Sequence, residues 1–204
     1  GGPHANGEEQ EILAQYSGWG GLSDAFEPNK DSWHSEYTEL KSLLTEEEYA
    51  AARSSTLTAF YTPPEVIDAM YTTLRKMGVG AGTILEPSMG AGAFFGQSHS
   101  YLYEPTTRLF GVELDSLTGR IARQLYQKAN IQITGFEKAD LPDSFFDVVI
   151  GNVPFGDYSV VDPQYNRLHF KIHDYFFAKS IDKLRTGGII AFITTSGTLD
   201  KKSE

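Results

Sequence analysis

Short apolar runs alternate with segments of helical pattern from residue 82 onward, and this alternation restricts the fold more than any other feature. Consecutive parallel strands need a crossover connection, which is normally a helix, so the pattern predicts βαβ units and a mainly parallel sheet. The predicted strands cover 83–86, 108–113, 131–135, 146–151 and 188–195. The predicted helices between them cover 91–98, 116–128 and 173–184. The fold class is therefore α/β and Rossmann-like.

Helix-start signals also precede the α/β region. Thr45, with Glu48 three residues later, has the spacing of a capping box, and Thr62 repeats this spacing before a proline. A run around Trp19 is rich in glycine and is interpreted as a packed loop. The predicted helices of this region cover 8–16, 45–53 and 62–77.

Composition suits one α/β domain with an appendage, because the chain has 204 residues of which 40% are hydrophobic. We divide it into a helical extension, 1–56, and an α/β domain, 57–204. The absence of cysteine excludes disulfides, thiolate zinc sites and a cysteine nucleophile. His169 and His173 lack the glutamate of an H-E-x-x-H motif, so we expect no metal. No apolar run of membrane-spanning length and no signal core occurs, so we expect no membrane partner and a cytoplasmic location.

The net charge of −10 is unevenly distributed along the chain. Residues 1–65 carry 12 acidic and three basic side chains, whereas residues 160–204 carry five acidic and seven basic ones. Binding to duplex DNA draws on lysine and arginine against phosphates, and the predicted core has no basic stripe. If the substrate is DNA, we therefore expect most phosphate contacts to come from another part of the protein.

The first predicted strand ends in a carboxylate and a glycine turn. Glu86 ends the strand, and Gly90 and Gly92 follow, where a backbone without Cβ atoms can approach a ligand. A dinucleotide fingerprint would need a third glycine at Phe95, so a nicotinamide cofactor is disfavoured. The Glu86 carboxylate can instead face an ammonium group.

Two further acids follow the next two strands. Glu113 ends the second strand, where a carboxylate can accept both ribose hydroxyls of a nucleoside. Asp115 either belongs to the same site or caps the following helix. Asp140 comes shortly after the third strand. Acids after three consecutive strands form a row along one edge of the sheet, which favours a ligand site there.

The fourth predicted strand ends in an Asn-x-Pro-aromatic sequence, Asn152 to Phe155. An NH₂ group on a planar acceptor has a delocalised lone pair and is a poor nucleophile. The Asn152 side-chain oxygen and the Val153 carbonyl could accept both of its N–H groups, while Pro154 fixes the turn and Phe155 stacks on the acceptor. In isolation the same residues also suit an ordinary turn with a packed phenylalanine.

Taken together and in order, these motifs resemble those of adenine-N6 DNA methyltransferases. The motif from Tyr61 to Ile67 precedes the glycine turn. This order is similar to that of the gamma class, in which a target recognition domain follows the catalytic one. The segment around Trp19 resembles, more loosely, what precedes the methylase domain in methylase-helicase proteins of phages and conjugative elements. The resemblance covers about 57–198 and is carried by Tyr61-Thr62-Pro63-Pro64-Glu65-Val66-Ile67, Leu85-Glu86-Pro87 with Gly92, Gly111-Val112-Glu113-Leu114-Asp115, Ala139-Asp140-Leu141 and Gly151-Asn152-Val153-Pro154-Phe155.

The resemblance implies a Rossmann-like methyltransferase fold with S-adenosyl-L-methionine as cofactor. The acceptor base is implied to lie at Asn152, Val153, Pro154 and Phe155. The family pattern usually has proline where this chain has Val153, so we expect a less rigid turn. The implied cofactor residues are Tyr61 and Thr62 at the methionine end, Glu86, Pro87, Ser88, Gly90 and Gly92 at the amino-acid part, Glu113 at the ribose, and Leu114, Asp140 and Leu141 at the adenine.

Two alternatives to DNA adenine methylation stay open. Asn-x-Pro-aromatic motifs also serve enzymes that methylate RNA or protein glutamine, and a domain of this fold could act as a binding or antirestriction module without turnover. Too few residues follow Thr195 for the antiparallel hairpin that usually completes such a sheet. The resemblance implies DNA contact through a recognition domain absent from this chain, a fused or associated helicase, and a place in restriction-modification or on a mobile element.

Overall fold

The computed structural model describes residues 3–57, 61–79, 82–98 and 105–194. Within them lies a five-stranded sheet of order β3-β2-β1-β4-β5, in which every neighbouring pair is parallel. This confirms the predicted α/β class and the mainly parallel sheet. The strands are β1 Thr83–Glu86, β2 Arg108–Glu113, β3 Asn130–Ile133, β4 Phe146–Asn152 and β5 Leu184–Ile193.

Strand β5 begins four residues before its predicted start. The predicted strand started at Gly188, because a pair of glycines normally interrupts a strand. Phe146 nevertheless pairs with Leu184, and Val148 pairs with Ile189, so the β5 side carries extra residues between the two pairs. Gly187, at φ +79°, absorbs this bulge.

Seven α-helices accompany the described strands. The helix over residues 34–43 was not predicted, because no side chain caps its start and none of its residues is buried. Single turns of 3₁₀ helix lie at Ser23–Phe26, Asp31–Trp33, Phe136–Lys138 and Asn166–Leu168. The helices are α1 Gly7–Leu13, α2 His34–Leu43, α3 Glu46–Ser55, α4 Pro64–Lys76, α5 Ala93–Ser98, α6 Ser116–Leu125 and α7 Ile172–Lys183.

One predicted helix cap is confirmed and another is wrong. Thr45 and Glu48 form a complete capping box before α3. Helix α4 instead begins at Pro64 with Pro63 as its N-cap, and proline has no side-chain acceptor. The Thr62 hydroxyl, one residue before the cap position, accepts a hydrogen bond from Asn152. The end of α4 is as predicted, with Gly78 following at φ +76°.

The sheet is buried on both faces. On one face Ile84, Val148 and Ile150 pack with buried residues of α4 and α5. On the other, Leu85 and Val149 pack with Phe176 of α7 and its neighbours. Burying one such side chain stabilises the fold by roughly 1.5–3 kcal/mol.

The N-terminal extension has a small core of its own and docks on α6. Buried Phe26 and Ala52 form this core with Trp19, Trp33 and other partly buried residues. Across the junction, Glu48 pairs with Arg120 at 2.6 Å, the Gln10 amide donates to the Gln124 carbonyl at 2.7 Å, and the hydroxyls of Tyr16 and Thr118 lie 2.6 Å apart. No described helix is long and apolar enough to cross a membrane.

Candidate active site

The carboxyl ends of β1, β2 and β4 open into a cavity of about 1280 Å³. Strand β1 lies between β2 and β4, so the chain order reverses direction beside β1. Ligands of open α/β sheets bind at such a switch point, outside the carboxyl ends of the strands. Its wall includes Tyr61, Thr62, Glu86, Pro87, Ser88, Gly90, Glu113, Leu114, Asp115, Asn152 and Pro154.

Glu86 is buried at the floor of this cavity, with 1% of its surface exposed. Its Oε2 atom has no hydrogen-bond partner. Burial, and secondarily the negative charge of Glu113, raise the pKa of the Glu86 carboxyl well above its ordinary value. A buried carboxylate is costly unless a donor or cation accompanies it, so an ammonium group would stabilise its ionised form.

The turn after Glu86 requires glycine. Gly90 and Gly92 have φ angles of +54° and +90°, in the region that other residues rarely adopt. A Cβ atom on Gly92 would also lie 2.3 Å from the ring of Tyr126. The turn is tied to β2, because Met89 donates its N–H to the Val112 carbonyl at 2.9 Å.

Glu113 connects this turn to the start of α6. Its two carboxylate oxygens accept the backbone N–H groups of Gly90 at 2.7 Å and Asp115 at 2.9 Å. Burial raises the pKa of Glu113 to about 7, although these two donors act in the opposite direction. Each carboxylate oxygen has a second lone pair, so Glu113 can still accept hydroxyl groups of a ligand.

Asp115 is the N-cap of α6, which confirms the structural alternative for this residue. Its Oδ2 atom accepts the backbone N–H of Thr118 at 3.0 Å and the Thr118 hydroxyl at 2.5 Å. The Oδ1 atom is buried and has no partner. Asp115 therefore caps the helix and leaves one oxygen that can accept a further hydrogen bond beside Glu113.

Asn152 is held by Thr62, which lies 90 residues earlier in the chain. The Asn152 amide N–H donates to the Thr62 hydroxyl oxygen at 3.2 Å. Because the NH₂ end of the amide is engaged, its oxygen is the end that can accept from a substrate. The motif before α4 and the motif after β4 thus meet at one point of the cavity wall.

Val153 packs below the cavity rather than into it. Its side chain is 1% exposed and lies in the core cluster of α7. Its N–H points to the Ile193 carbonyl at 3.4 Å, a contact that proline could not make. The neighbouring strand therefore supports this turn, where the family pattern would use a proline ring.

The structure does not bring five of the predicted site residues to the cavity wall. Gly92 faces Tyr126, Val153 is in the core, and Phe155 is half-buried outside the lining. Asp140 is exposed and its backbone is paired with the Gln132 amide, while Leu141 is buried in the core.

Two groups of lining residues were missed by sequence reasoning. Residues 134–137 line the cavity after β3, a few residues before the predicted Asp140. Residues of the N-terminal segment 7–20 form part of the wall, although the only signal they offered was a tryptophan among glycines. Tyr165, on the segment after Phe155, could stack on DNA by its residue type, but it is 6% exposed and hydrogen-bonded to Asp182, so it is not available for stacking. Among the described residues, no cluster of histidine and acidic side chains could hold a metal.

Comparison with known proteins identifies relatives for most of the chain. Residues 43–204 match the family model described as N-6 DNA Methylase. Over 191 residues, 91% of the chain, it is 26% identical to the Defense against restriction protein B of Escherichia phage P1, and spans only 7% of that protein.

Solved structures show the same fold. One is the type I restriction-modification methyltransferase subunit from Streptococcus thermophilus, with a TM-score of 0.57 and 19% identity, over 84% of this chain and 44% of that one. Another, described as the modification subunit of a type I restriction enzyme from Vibrio vulnificus YJ016, has a TM-score of 0.56 and 19% identity, over 97% of this chain and 42% of that one. With the family match over residues 43–204, the chain belongs to the N-6 DNA methylase family.

Proposed function

We propose that this domain transfers a methyl group from S-adenosyl-L-methionine to the N6 amino group of adenine in DNA. The observation that carries this proposal is the Thr62–Asn152 hydrogen bond, which leaves the Asn152 oxygen as an acceptor beside a cavity that also holds Glu86 and Glu113. The membership of the N-6 DNA methylase family supports it.

The residues present fit the cofactor. Glu86 has a buried carboxylate oxygen without a partner, suited to the ammonium group. Glu113 has acceptor capacity for the ribose hydroxyls, while exposed Leu114 and buried Phe136 offer apolar contact for the adenine ring. When bound, the cofactor supplies an electrophilic methyl group on a sulfonium centre.

The chain's own residues prepare the acceptor nitrogen. The Asn152 Oδ1 atom and the main-chain carbonyl after it accept the two N–H groups of the adenine amino group. These hydrogen bonds oppose delocalisation of the nitrogen lone pair into the ring, so the nitrogen becomes a better nucleophile. Pro154 restricts the turn. The base must first be flipped out of the duplex at a cost of about a few kcal/mol, and Phe155, which lies outside the lining of the ligand-free cavity, turns toward the base to stack on it.

We assign the recognition of DNA to a part of the protein outside this chain. The net charge is −10, and no lysine, arginine or histidine is among the described residues that line the cavity. Phosphate contacts depend on such cations, so the cavity wall itself gives little attraction for a DNA backbone. A recognition domain, with a fused or associated helicase, would supply that attraction.

The test is methyl transfer by the longer protein that includes the recognition part. Asn152→Ala should abolish transfer to adenine-containing duplexes while affinity for S-adenosylhomocysteine is largely kept. Asn130→Ala, an exposed asparagine at the start of β3, is the matched control and should behave as wild type. Near wild-type transfer by Asn152→Ala, or methylation of cytosine only, would contradict the proposal. Transfer to RNA or to protein glutamine instead of DNA would identify another acceptor.

A second candidate is an antirestriction module without turnover. The observation in its favour is the phage relative, which is named for defence against restriction. This candidate predicts that the cofactor binds but that no substrate is methylated. Binding and transfer, measured on the same preparation, separate the two functions.

A further inference from the structure

Part of the cavity wall comes from the N-terminal extension. Tyr16, Ser17, Gly18, Trp19 and Gly20 all line it. None of these five belongs to the motifs that carry the family resemblance.

Hydrogen bonds hold this wall segment on the strand-end side of the site. The Tyr16 hydroxyl lies 2.6 Å from the Thr118 hydroxyl, which in turn donates to Asp115 at 2.5 Å. Burial raises the pKa of Tyr16, so its phenol stays protonated near neutral pH. Asp115 follows Glu113 by two residues, so the segment is attached directly beside the group suited to the ribose.

Trp19 presents a hydrogen-bond donor without an acceptor. Its ring is held edge-on by Tyr16 and Phe26, at centroid distances of 5.9 and 5.6 Å. Its Nε1 atom is buried and makes no hydrogen bond of normal distance and angle. A weaker contact between this N–H and the Tyr16 hydroxyl acts to lower the pKa of Tyr16. An indole N–H can only donate, and a buried donor without an acceptor is costly. An acceptor on a bound ligand would remove that cost.

Because no basic side chain is among the described residues of the cavity wall, hydrogen bonds to the oxygens of a ligand must come from uncharged donors. The described ionisable residues of the wall include Glu86, Glu113, Asp115 and Glu137, and none is a lysine, arginine or histidine. A ligand with an ammonium group, a carboxylate and a ribose finds carboxylate acceptors here but no cation for its own acceptor oxygens. Those oxygens depend on uncharged N–H and O–H groups.

We propose that the segment 16–20 is part of the cofactor-binding site and that the Trp19 N–H donates to an oxygen of the bound cofactor. This inference rests on the proposed function, because it takes S-adenosyl-L-methionine as the ligand. The N-terminal extension then contributes directly to cofactor affinity, beyond packing on α6.

The test compares two tryptophan variants of the 204-residue chain, with S-adenosylhomocysteine as the probe in calorimetry. Trp19→Phe keeps an aromatic ring but removes the N–H, and should weaken binding by about 3- to 10-fold, the effect of one neutral hydrogen bond. Trp33→Phe is the matched control, since Trp33 packs in the same small core but does not line the cavity, and should bind as wild type.

Fluorescence supplies a second readout that leaves Trp19 intact. The chain has two tryptophans, so Trp33→Phe reports on Trp19 alone, and its emission should shift when the probe is added. The probe 5′-methylthioadenosine lacks the amino-acid part. If Trp19→Phe weakens the binding of both probes, the acceptor of the Trp19 N–H is on the nucleoside. If it weakens the binding of S-adenosylhomocysteine only, the acceptor is the carboxylate. Either result supports the proposal.

Equal affinity of wild type and Trp19→Phe, or an unchanged Trp19 emission on saturation, would overturn the inference while leaving the proposed function intact. No binding of the probe by folded wild-type chain would instead overturn the proposed function. Circular dichroism of each variant shows whether it is folded. If Trp19→Phe is unfolded, the emission of Trp33→Phe decides alone.

Discussion

The hydroxyl of Thr62 accepts a hydrogen bond from the Asn152 amide, and this contact determines which end of the amide is available in the cavity. Thr62 is itself 8% exposed, so the bond is protected from competing water. The orientation of one side chain at the end of β4 therefore depends on a residue just before α4. In this arrangement Thr62 is a positioning residue for Asn152.

Removing this hydroxyl should impair turnover more than cofactor binding. We expect Thr62→Val to lower kcat by about ten-fold, because one neutral hydrogen bond is worth about 0.5–1.5 kcal/mol. Thr62→Ser should restore kcat, since serine keeps the acceptor. The measurements are kcat in the longer protein and the Kd for S-adenosylhomocysteine. Parallel losses in both quantities would show that Thr62 acts on the cofactor rather than on Asn152.

The pKa values of Glu86 and Glu113 are both raised, mainly by burial. A carboxyl with a raised folded-state pKa contributes stability that is present at low pH and is lost as the pH rises from its ordinary value of about 4.3 through the folded-state value. The ligand-free protein should therefore lose stability between about pH 4 and pH 7 as Glu113 ionises. Ionisation of Glu86, whose pKa is also raised, should lower the stability further.

Affinity for a ligand ammonium should rise with pH as Glu86 ionises. Glu86→Gln should flatten this rise and weaken S-adenosylhomocysteine by about 10- to 100-fold, since a hydrogen bond to a charged group is worth about 1.5–3 kcal/mol. The same variant should be more stable than wild type at pH 8 without ligand. Glu137→Gln, in the same cavity wall, is the control. Calorimetry and urea denaturation from pH 5 to 8 check both effects, and an unchanged affinity in Glu86→Gln would refute this assignment.

At the scale of elements, the segment after the Asn152 motif is tied to α7 by a buried polar network. The Asp162 carboxylate accepts from the Tyr175 hydroxyl at 2.6 Å and from the Lys179 ammonium at 3.0 Å. Its backbone N–H donates to the Asn166 side chain at 2.9 Å. Asp162 and Lys179 are 6% and 5% exposed. This network and the buried side chain of Val153 fix the position of the segment that follows the Asn152 motif.

Breaking this network should be strongly destabilising. Asp162→Ala leaves a buried ammonium without its counter-ion and should lower the free energy of unfolding by about 3–5 kcal/mol. Asp157→Ala removes an exposed ion pair with Lys171 in the same segment and should leave stability nearly unchanged. Urea denaturation measures both. Equal effects of the two substitutions would contradict a structural role for the buried pair.

At the scale of the whole molecule, the N-terminal extension and the sheet contribute different parts of the cavity wall. The acidic extension packs on α6 and reaches the cavity, while the sheet supplies the strand ends that face it. The resulting site is suited to a small cationic ligand, because its described lining residues include carboxylic side chains but no lysine, arginine or histidine. It offers no comparable attraction for a polyanion.

These 204 residues alone should therefore bind duplex DNA weakly and with little sequence preference. Fluorescence anisotropy with a labelled duplex, at low and at physiological salt, measures this affinity. Adding S-adenosylhomocysteine should change it little. Tight, sequence-specific binding by this chain would show that recognition does not need another part of the protein.

The sequence by itself determined most of the elements around the site and the residues at the ends of strands β1, β2 and β4. Strands β1 and β2 match their predicted bounds, and Glu86 and Glu113 end them, because strand alternation and glycine turns are local properties of the chain. The Asn152 motif could be located for the same reason, and its family resemblance named the chemistry. Cap assignment failed at Thr62, because the helix begins one residue later, with Pro63 at the N-cap position.

Only the tertiary structure decided which residues share the cavity. The strand order places β1 beside β4, and so brings Glu86 near Asn152, a relation set by packing across 60 and more residues. Asp140 follows β3 in sequence, yet its backbone pairs with Gln132 and its place in the wall is taken by residues 134–137. Trp19 reaches the site because the extension docks on α6. Local periodicity carries no information about such contacts, since they depend on which apolar faces bury each other when the whole chain folds.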